Sequence, residues 1–549
     1  TSLYNKVKFF QKVNNGGKNP RGRASSRDKD GASKGGTKPS AEPEEEEDPN
    51  LTEKEKERKR RKKERQKDRE EREKARGGKV HPVAGFFARA LMTVRNVNGT
   101  YSVTDGTLLP GYNQRAGILG FDPGNNAGLG GFVFGQQGYN VFGQDNGYNI
   151  AERLVSDPNQ LFLVQNSNLN KQFTTTHSEN INLRATLEPI KDMSIELTAN
   201  RMFSKNSSEF FRYNDASAAF ESQTRVELST LTYSSVSVSS AFALIGKEYE
   251  SSTFDNLLAN RKQVSELLGA VNTNSGELTS GYYDGYSATQ QEVVLGAFLT
   301  SYTNRGVSDK NINPLRNLPL PNWSINYNGL KNFSFMKKAL KNFVMRHGYS
   351  SSVSVSGIQT NLNAEFDGNG NASARDLNNN FLAQNQIQNV VVSERFSPLI
   401  GFDATWNIKD QGLITKFEYK KDRSASLSLN NNQVTEILGS EWVIGTGYKF
   451  SKVKLPFDKV PASPVNVRVD ISFRDNLTVI RSIDENSNQA TAGQTVIAIK
   501  SSADYNLSKY LVIQFYYDHT LNTPKIATSY PTGNMSTGLR LRFNLAGVQ

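Results

Sequence analysis

The 549-residue chain has no cysteine, only three tryptophans and no long apolar run. The absence of cysteine excludes a disulfide framework, thiolate metal sites and a cysteine nucleophile. Without a run of about 18 apolar residues, the sequence predicts no membrane-spanning helix. The chain opens at Thr1 with no initiator Met and no signal-peptide pattern. We therefore expect it to be the C-terminal part of a longer polypeptide.

The excess positive charge is concentrated in a short N-terminal tract. Of the net charge of +12, residues 1–78 contribute +8, with 24 Lys/Arg and 16 Asp/Glu. The rest of the chain is close to neutral, which does not indicate a nucleic-acid-binding protein. Residues 14–50 have the composition of disordered chain, and residues 51–76 favour a solvated helix without an apolar stripe. We interpret 14–89 as one charged, disordered or helical insert.

Beyond this tract, apolar and polar residues alternate with a period of two, which is typical of β-strands with one apolar face. In the run 465–479, only Asp475 interrupts the apolar set. The pattern predicts an all-β protein with about 13 strands. They are placed at 2–13, 90–103, 174–188, 193–206, 321–330, 345–358, 393–407, 412–429, 433–450, 465–482, 493–506, 507–521 and 535–547.

Two all-β folds fit this alternation, a soluble sandwich and a membrane barrel. The polar faces are strongly charged, as a hydrated lumen requires, and Tyr and Phe total 51 residues, many of them near predicted strand ends. These features favour an antiparallel transmembrane β-barrel segment, with extracellular cap insertions and short helices. The candidate lumen-facing residues are Arg184, Glu196, Lys416, Glu418, Lys420, Arg540 and Arg542. The candidate lipid-facing residues are Leu183, Leu187, Ile195, Leu197, Phe417, Ile513, Phe515, Leu541 and Phe543. Trp323, Trp406 and Trp442, placed at predicted strand ends, are interpreted as interface anchors.

Strand parity gives a topology if the last strand ends in the periplasm. Short connections at 188–192, 408–411 and about 505–507 then fall on the periplasmic side, and long segments 104–173, 207–320 and 359–392 fall outside. The predicted organisation is a strand at 1–13, the insert 14–89 in the periplasm, strands in 90–206, an extracellular cap at 207–320 and C-terminal strands in 321–549. Apolar spacing predicts a short helix from Phe254 to Leu268 in the cap and a second at 330–342.

The sequence indicates no enzyme chemistry. The four histidines lie far apart without metal-ligand spacing. The Gly-rich run 117–138 lacks the P-loop pattern. We expect no cofactor, no resident metal and no catalytic residues.

Several stretches resemble the C-terminal part of the SprA/Sov family, the outer-membrane translocon of the Bacteroidota type IX secretion system. They are Gly99–Gly111, Asp284–Thr303, Pro319–Leu330, His347–Ser351, Val392–Phe402, Thr415–Ser428, Asp470–Arg481 and Ser529–Leu545. Their order from about residue 85 onward carries the resemblance, whereas residues 14–78 match nothing in it.

The resemblance implies one giant barrel of some 36 strands, of which this chain would supply the last third. It implies passage of folded cargo with a type IX C-terminal signal, including gliding adhesins in motile species. Implied partners are the N-terminal part of the translocon barrel, a PorV-like cargo-receiving barrel, a plug protein and periplasmic accessory proteins such as a peptidyl-prolyl isomerase.

Two other classes of protein stay open from the residues themselves. One is an outer-membrane nutrient transporter with a plug domain. The other is a surface β-scaffold or adhesin whose basic tract binds polyanions.

Overall fold

The computed structural model describes residues 93–114, 137–138, 148–157, 161–238, 240–243, 245–408, 411–454, 462–508, 510–526 and 529–543. The predicted strand 2–13, the charged insert 14–89 and most of the loop 104–173 lie outside these ranges. Residues 96–549 belong to one compact unit.

The described chain is dominated by antiparallel strands, which confirms the all-β, barrel-type class of fold. The strands are β1 (Val94–Leu108), β2 (Phe173–Leu187), β3 (Met193–Asn214), β4 (Ala219–Ser234), β5 (Leu278–Thr279), β6 (Tyr282–Tyr283), β7 (Asn322–Tyr327), β8 (Leu340–Thr360), β9 (Asn385–Gln386), β10 (Asn389–Ile408), β11 (Gln411–Ser428), β12 (Gln433–Val453), β13 (Ser463–Ser482), β14 (Ser487–Asn506), β15 (Leu511–Pro524) and β16 (Thr532–Phe543). The helices are α1 (Ile150–Leu154), α2 (Ser252–Gly269), α3 (Gln291–Tyr302), α4 (Asp309–Ile312) and α5 (Ser334–Ala339).

One sheet holds all of these strands except β5 and β6. Its path runs β1-β2-β3-β4-β8-β10-β11-β12-β13-β14-β15-β16, so that β1 and β16 are the two ends of the path among the described strands. Neighbours in sequence are mostly neighbours in space, as in an up-and-down meander. Leu187 and Met193, Ile408 and Gln411, and Asn506 and Leu511 lie at one end of the strands, which we call the short-turn end. Leu108 and Phe173, and Thr360 and Asn389, lie at the other end, the long-loop end.

Strands β4 and β7 together occupy a single position in the sheet. We call positions nearer the long-loop end upper and those nearer the short-turn end lower. The upper part of β3 pairs with β4 from Arg201↔Tyr233 to Asn214↔Ala219. Its lower part pairs with β7 from Met193↔Tyr327 to Thr198↔Asn322. On the other side, β8 pairs with both pieces in the same way. The Leu320 amide donates a hydrogen bond to the Ser234 carbonyl at 2.9 Å. One crossing of the sheet is therefore interrupted in the middle by residues 235–321, which we call the insert.

The predicted cap boundaries at 207 and 320 differ from the structure. Strand β3 continues to Asn214, and β4 is a full member of the sheet. Only residues 235–321 leave the sheet. Their helix α2 confirms the helix predicted between Phe254 and Leu268, and α5 lies within the predicted 330–342. Helix α3, with ten of its residues buried, was not predicted.

Candidate functional site

The register of the sheet separates two faces along its whole width, since residues that pair across strands share a face. One face carries Phe402, Phe417, Ile444, Ile471 and Ile499 in one continuous row. We call it the aromatic face. The other carries Asp403, Lys416, Gly445, Asp470 and Lys500 in the adjoining row. We call it the charged face.

The aromatic face has a band of exposed apolar side chains between two aromatic rows. The upper row contains Tyr419, Trp442 and Phe473, with Tyr419 and Trp442 stacked at 4.1 Å between ring centroids. The lower rows contain Tyr448 and Phe450, whose rings meet edge to face. Trp442 and Phe450 are eight residues apart on β12, or about 27 Å of strand at about 3.4 Å per residue. At a strand tilt of about 40°, this length rises about 21 Å along the barrel axis, which is close to the lipid-facing band of an outer-membrane barrel, about 25 Å tall between aromatic girdles.

Side chains within this band are open to the surroundings of the chain. Ile444 is 50% exposed and Phe515 is 48% exposed. A soluble sandwich would cover such a face with a second sheet. Among the described residues the only other sheet is the β5–β6 pair of two-residue strands, and it does not cover this band.

The charged face carries a network of ion pairs centred on Glu418, which is almost completely buried. Its carboxylate lies 3.2 Å from Lys416 Nζ, 3.6 Å from Lys420 Nζ and 3.4 Å from Arg346. Arg346 also binds Asp403, and Lys420 binds Glu441 at 3.1 Å. Three cations thus meet three carboxylates, so the network carries no net charge.

A groove of about 420 Å³ continues the charged face across β11 to β14. Charged side chains line it, and Gly445 and Gly447 of β12 lie between them. A Cβ atom on Gly445 would collide with the carboxylate of Asp470. The glycines therefore leave room for charged side chains to lie across the strand. The charged residues lining the groove are Asp403, Lys416, Glu441, Arg468, Asp470 and Lys500.

On the aromatic face above the band, the insert covers the sheet. Helices α2 and α3 bury Phe254, Leu257 and Phe298 against wall residues such as Val353 and Val392 in one hydrophobic core. The same face that is open below is therefore dry and packed above. The polar atoms of this region must be satisfied inside the protein.

Three buried Arg–Glu pairs meet that requirement on the covered part of the face. They are Arg201–Glu179 at 3.1 Å, Arg423–Glu394 at 2.6 Å and Arg481–Glu436 at 2.6 Å. Two of the arginines also hold the insert. Arg423 donates to the carbonyl oxygens of Ser240 and Tyr302, and Arg481 donates to that of Tyr249.

The loop 361–388 clasps the insert from the long-loop end. Arg375 binds Asp284 through both Nη atoms at 2.9 and 2.8 Å. The hydrogen bond from Arg375 lowers the pKa of Asp284 below its ordinary value. Phe381 of the same loop packs on Tyr286 with 5.3 Å between ring centroids. The insert is therefore held both by the main sheet and by the loop that joins β8 to β10.

The residues predicted as lumen-facing all lie on the charged face, and those predicted as lipid-facing all lie on the aromatic face. Arg184 and Glu196 form an ion pair at 2.9 Å, and Arg540 donates to Gln514 at 3.1 Å. Leu541 pairs with Ile513, and Leu187 with Ile195. The two groups of residues therefore lie on opposite faces of the sheet.

The three tryptophans share the aromatic face but differ in position. Trp406 lies near the end of β10, and its Nε1 donates to Thr415 Oγ1 at 2.9 Å. Trp442 lies in the middle of β12, so its placement at a strand end is wrong. Trp323 is the second residue of β7 and lies halfway along the strands of the sheet. Its ring stacks on that of Tyr349 with 4.5 Å between centroids. Strands longer than the apolar band explain the difference, because the band edge and the strand end no longer coincide.

The sequence did not reveal the partners that complete the Glu418 network on the charged face or the buried Arg–Glu pairs on the aromatic face. Arg346, Asp403 and Glu441 were not singled out, although each lies on the polar side of its own alternating run. The buried pairs gave a weak signal, because Glu394 and Arg423 interrupt apolar faces of otherwise regular strands. These two charges are buried because another segment covers the sheet there, whereas Asp475, also in phase with apolar neighbours, is exposed.

Within the described ranges, no group of three or more His, Cys, Asp or Glu side chains could hold a metal ion. No helix in this part of the chain is long and apolar enough to cross a membrane.

Comparisons with known proteins give a structural likeness and no match of sequence family. No protein-family model matches the chain, and no curated protein matches it. Among solved structures, it is similar to a loop L8 deletion mutant of OmpT, an outer membrane protein of Vibrio cholerae. The two are 7% identical with a TM-score of 0.17, over 68% of this chain and 93% of the OmpT chain.

Proposed function

We propose that the chain is a section of the wall of a giant outer-membrane pore that conducts folded proteins in type IX secretion. The observation that carries the membrane part is the exposed apolar band on the aromatic face. Apolar side chains open over about 27 Å of strand between aromatic rows suit a lipid bilayer and would be costly in water. In this proposal the aromatic face meets lipid and the charged face meets the aqueous lumen.

The charged face suits the passage of proteins. Its network of three cations and three carboxylates is neutral as a whole, so it does not hold cargo of either charge strongly. The groove beside it is also lined by both signs of charge. Apolar side chains such as Ile414 and Val443 lie among charged ones in this groove, so an unfolded or partly folded cargo meets a mixed surface rather than a wholly apolar one.

Pore width supports a wall section rather than a closed small barrel. Twelve strands at about 4.8 Å spacing and about 40° tilt would close to a backbone diameter of about 24 Å. A folded 100-residue domain has a radius of gyration of about 13 Å, and side chains would narrow such a ring further. A pore for folded cargo therefore needs more strands, which the N-terminal part of a translocon would add beside β1 and β16.

The assignment to type IX secretion rests on the sequence resemblance to the SprA/Sov family. It brings with it the proposed partners: a PorV-like barrel that receives cargo, a plug protein, a peptidyl-prolyl isomerase and cargo with the type IX signal. It also brings a proposed location in the outer membrane of a Bacteroidota bacterium. Gliding adhesins are proposed cargo in motile species.

Two experiments test the proposal at its two levels. Fractionation of cells tests the membrane wall, and recovery in the soluble fraction without detergent would contradict it. Deletion of the gene tests the secretion role. We expect proteins with the type IX signal to accumulate in the periplasm, and continued arrival at the cell surface would leave a nutrient transporter as the better interpretation.

A further inference from the structure

The aromatic face changes from apolar to polar within one step of the strands. Beyond the upper aromatic row, the register places Lys421, Ser440, Asp475, Thr495 and Thr523 side by side across β11 to β15. We call this the polar row. Two residues away along each strand lie Tyr419, Trp442, Phe473, Ile497 and Leu521. Asp475, which interrupts the apolar run in the sequence, is thus one member of a row.

The polar row is held by contacts that suit a wet boundary. Asp475 binds Lys525 Nζ at 2.6 Å and accepts a hydrogen bond from Thr495 Oγ1 at 3.1 Å. Both side chains of the Asp475–Lys525 pair are partly open, at 47% and 34% exposure. Charged and hydroxyl groups directly beside an aromatic row are typical of the zone of lipid headgroups.

The lower edge of the insert lies at the level of this row. The ring of Phe242 packs on Phe396 at 5.4 Å between centroids, and Phe396 pairs with Lys421. Lys421 Nζ lies 4.8 Å from the centre of the Phe242 ring. Phe242 is 43% exposed, whereas Ala241 beside it is buried.

Apolar side chains connect the band to Phe242 through the buried ring of Phe396. Ile400 pairs with Tyr419 in the upper aromatic row and is 53% exposed. It lies one step below Phe396, on which Phe242 rests. An aromatic side chain that extends the apolar band and is capped by a lysine ammonium has the chemistry of a membrane-interface anchor.

We propose that the insert rests on the outer leaflet of the membrane, with Phe242 inserted among the lipid headgroups and Lys421 at the level of their phosphates. The inference depends on the proposed lipid-facing role of the aromatic face. Its occupant is lipid rather than a protein partner, because Phe242 lies one step beyond the exposed apolar band and has the Lys421 ammonium over its ring. The insert would then be a membrane-surface domain as well as a cap.

Single cysteine reporters test this directly, since the chain contains no cysteine. We would label F242C, F515C and V271C with an environment-sensitive fluorophore, in the full protein reconstituted into nanodiscs, after replacing any cysteine outside this chain with serine. Phe515 reports the band, and Val271, 72% exposed after α2, reports the outer side of the insert. Quenching by lipids brominated near the headgroup and by lipids brominated deep in the acyl chain gives the depth of each label.

The expected result is strong quenching of the Phe515 label by deep bromines, quenching of the Phe242 label by shallow bromines, and none for the Val271 label. A Phe242 label that stays unquenched while the Phe515 label is quenched would overturn the inference and leave the membrane wall intact. Loss of quenching at both positions would overturn the proposed membrane function as well.

A second measurement avoids substitution at Phe242. Photoactivatable phospholipids with the reactive group near the headgroup would be added to the unmodified protein. We expect crosslinks in the peptide that contains Phe242 and Ala241, and not in the peptide that contains Val271. Crosslinks confined to the band strands would contradict the inference.

Discussion

Arg423 and Glu394 pair directly across β11 and β10, at 2.6 Å, on a part of the sheet that is almost completely buried. The guanidinium also donates to the backbone carbonyls of Ser240 and Tyr302 in the insert. This one guanidinium thus neutralises a buried carboxylate of the sheet and donates hydrogen bonds to two backbone carbonyls of the insert. The pair sits where the open face of the sheet becomes a covered one.

Replacing Arg423 with Met should release the insert from the wall. The change leaves Glu394 buried without its cation, which typically costs about 3–5 kcal/mol. We expect a lower thermal midpoint of unfolding and faster proteolysis within residues 235–321. The matched control is Arg184→Met, which breaks an exposed pair worth at most about 1 kcal/mol. Equal stability of the two variants would contradict this role of Arg423.

Adjacent residues on β13 test the assignment of the two faces. Ile471 lies on the aromatic face and Ser472 on the charged face. Ile471→Arg should impair membrane assembly, at a cost below the roughly 2–4 kcal/mol of an arginine at the bilayer midplane, because Ile471 lies two residues from the upper aromatic row. Ser472→Arg should assemble normally. Heat-modified mobility in gel electrophoresis and the yield in the outer membrane measure both, and the reverse order would show that the faces are exchanged.

The neutrality of the charged network can be tested with cargo of opposite charge. Glu418→Gln with Glu441→Gln leaves Lys416, Lys420 and Arg346 in excess by two charges. We expect slower release of an acidic reporter cargo than of a basic one, and a smaller difference at high salt, since screening weakens the attraction. The reciprocal control, Lys416→Gln with Lys420→Gln, should slow the basic cargo. Equal rates for both cargoes in both variants would count against a lumen role for this face.

The clasp between the loop 361–388 and the insert should loosen in acid. Because Arg375 lowers the pKa of Asp284 in the folded protein, the pair adds stability that is complete above the ordinary aspartate value of about 4 and is lost as pH falls through the lowered folded value. The partly exposed pair contributes at most about 1 kcal/mol. The protection of amides near Asp284 from hydrogen exchange, relative to the intrinsic rate at each pH, should fall below about pH 4. Asp284→Asn should show the lower protection already at neutral pH and little further change in acid.

The sequence predicted those strands whose alternation stays in phase. In β11 and β13 the register is regular over the alternating run, so the pattern read from the sequence is also the pattern in space. Strand β4 was missed because its pairing with β8 shifts between Ser229 and Leu231. The shift moves its apolar residues from one phase to the other and hides the period of two.

Helix α3 was missed for a different reason. Ten of its twelve residues are buried, so apolar and small side chains surround it and no helical stripe appears. The charged partners on the charged face were out of reach as well, because Arg346 and Glu418 come from strands 72 residues apart in the chain. The alternation in the sequence predicts the face of the sheet on which a residue lies. Its partner on a neighbouring strand depends on the strand register, which the sequence pattern does not give.

The interrupted crossing explains why the predicted strands keep their relative directions although β4 was missed. The predicted strand 321–330 corresponds to β7, and β7 is the second piece of the crossing that β4 begins. Counting either piece once gives one passage through the sheet. Short connections are not confined to one end, because 215–218, 429–432 and 483–486 join strands at the long-loop end.

For protein engineering, the same interruption means that residues 235–321 could be removed without changing the order of the strands in the sheet. The 16 residues of β4 and the 6 of β7 together equal the 22 of β3, and one backbone hydrogen bond already joins Leu320 to Ser234. Excision of residues 235–321 would thus leave one strand of ordinary length. It would also uncover Val353, Val392 and the buried charges of Arg423 and Arg481, so a minimal wall needs a new apolar surface there as well as a shorter chain.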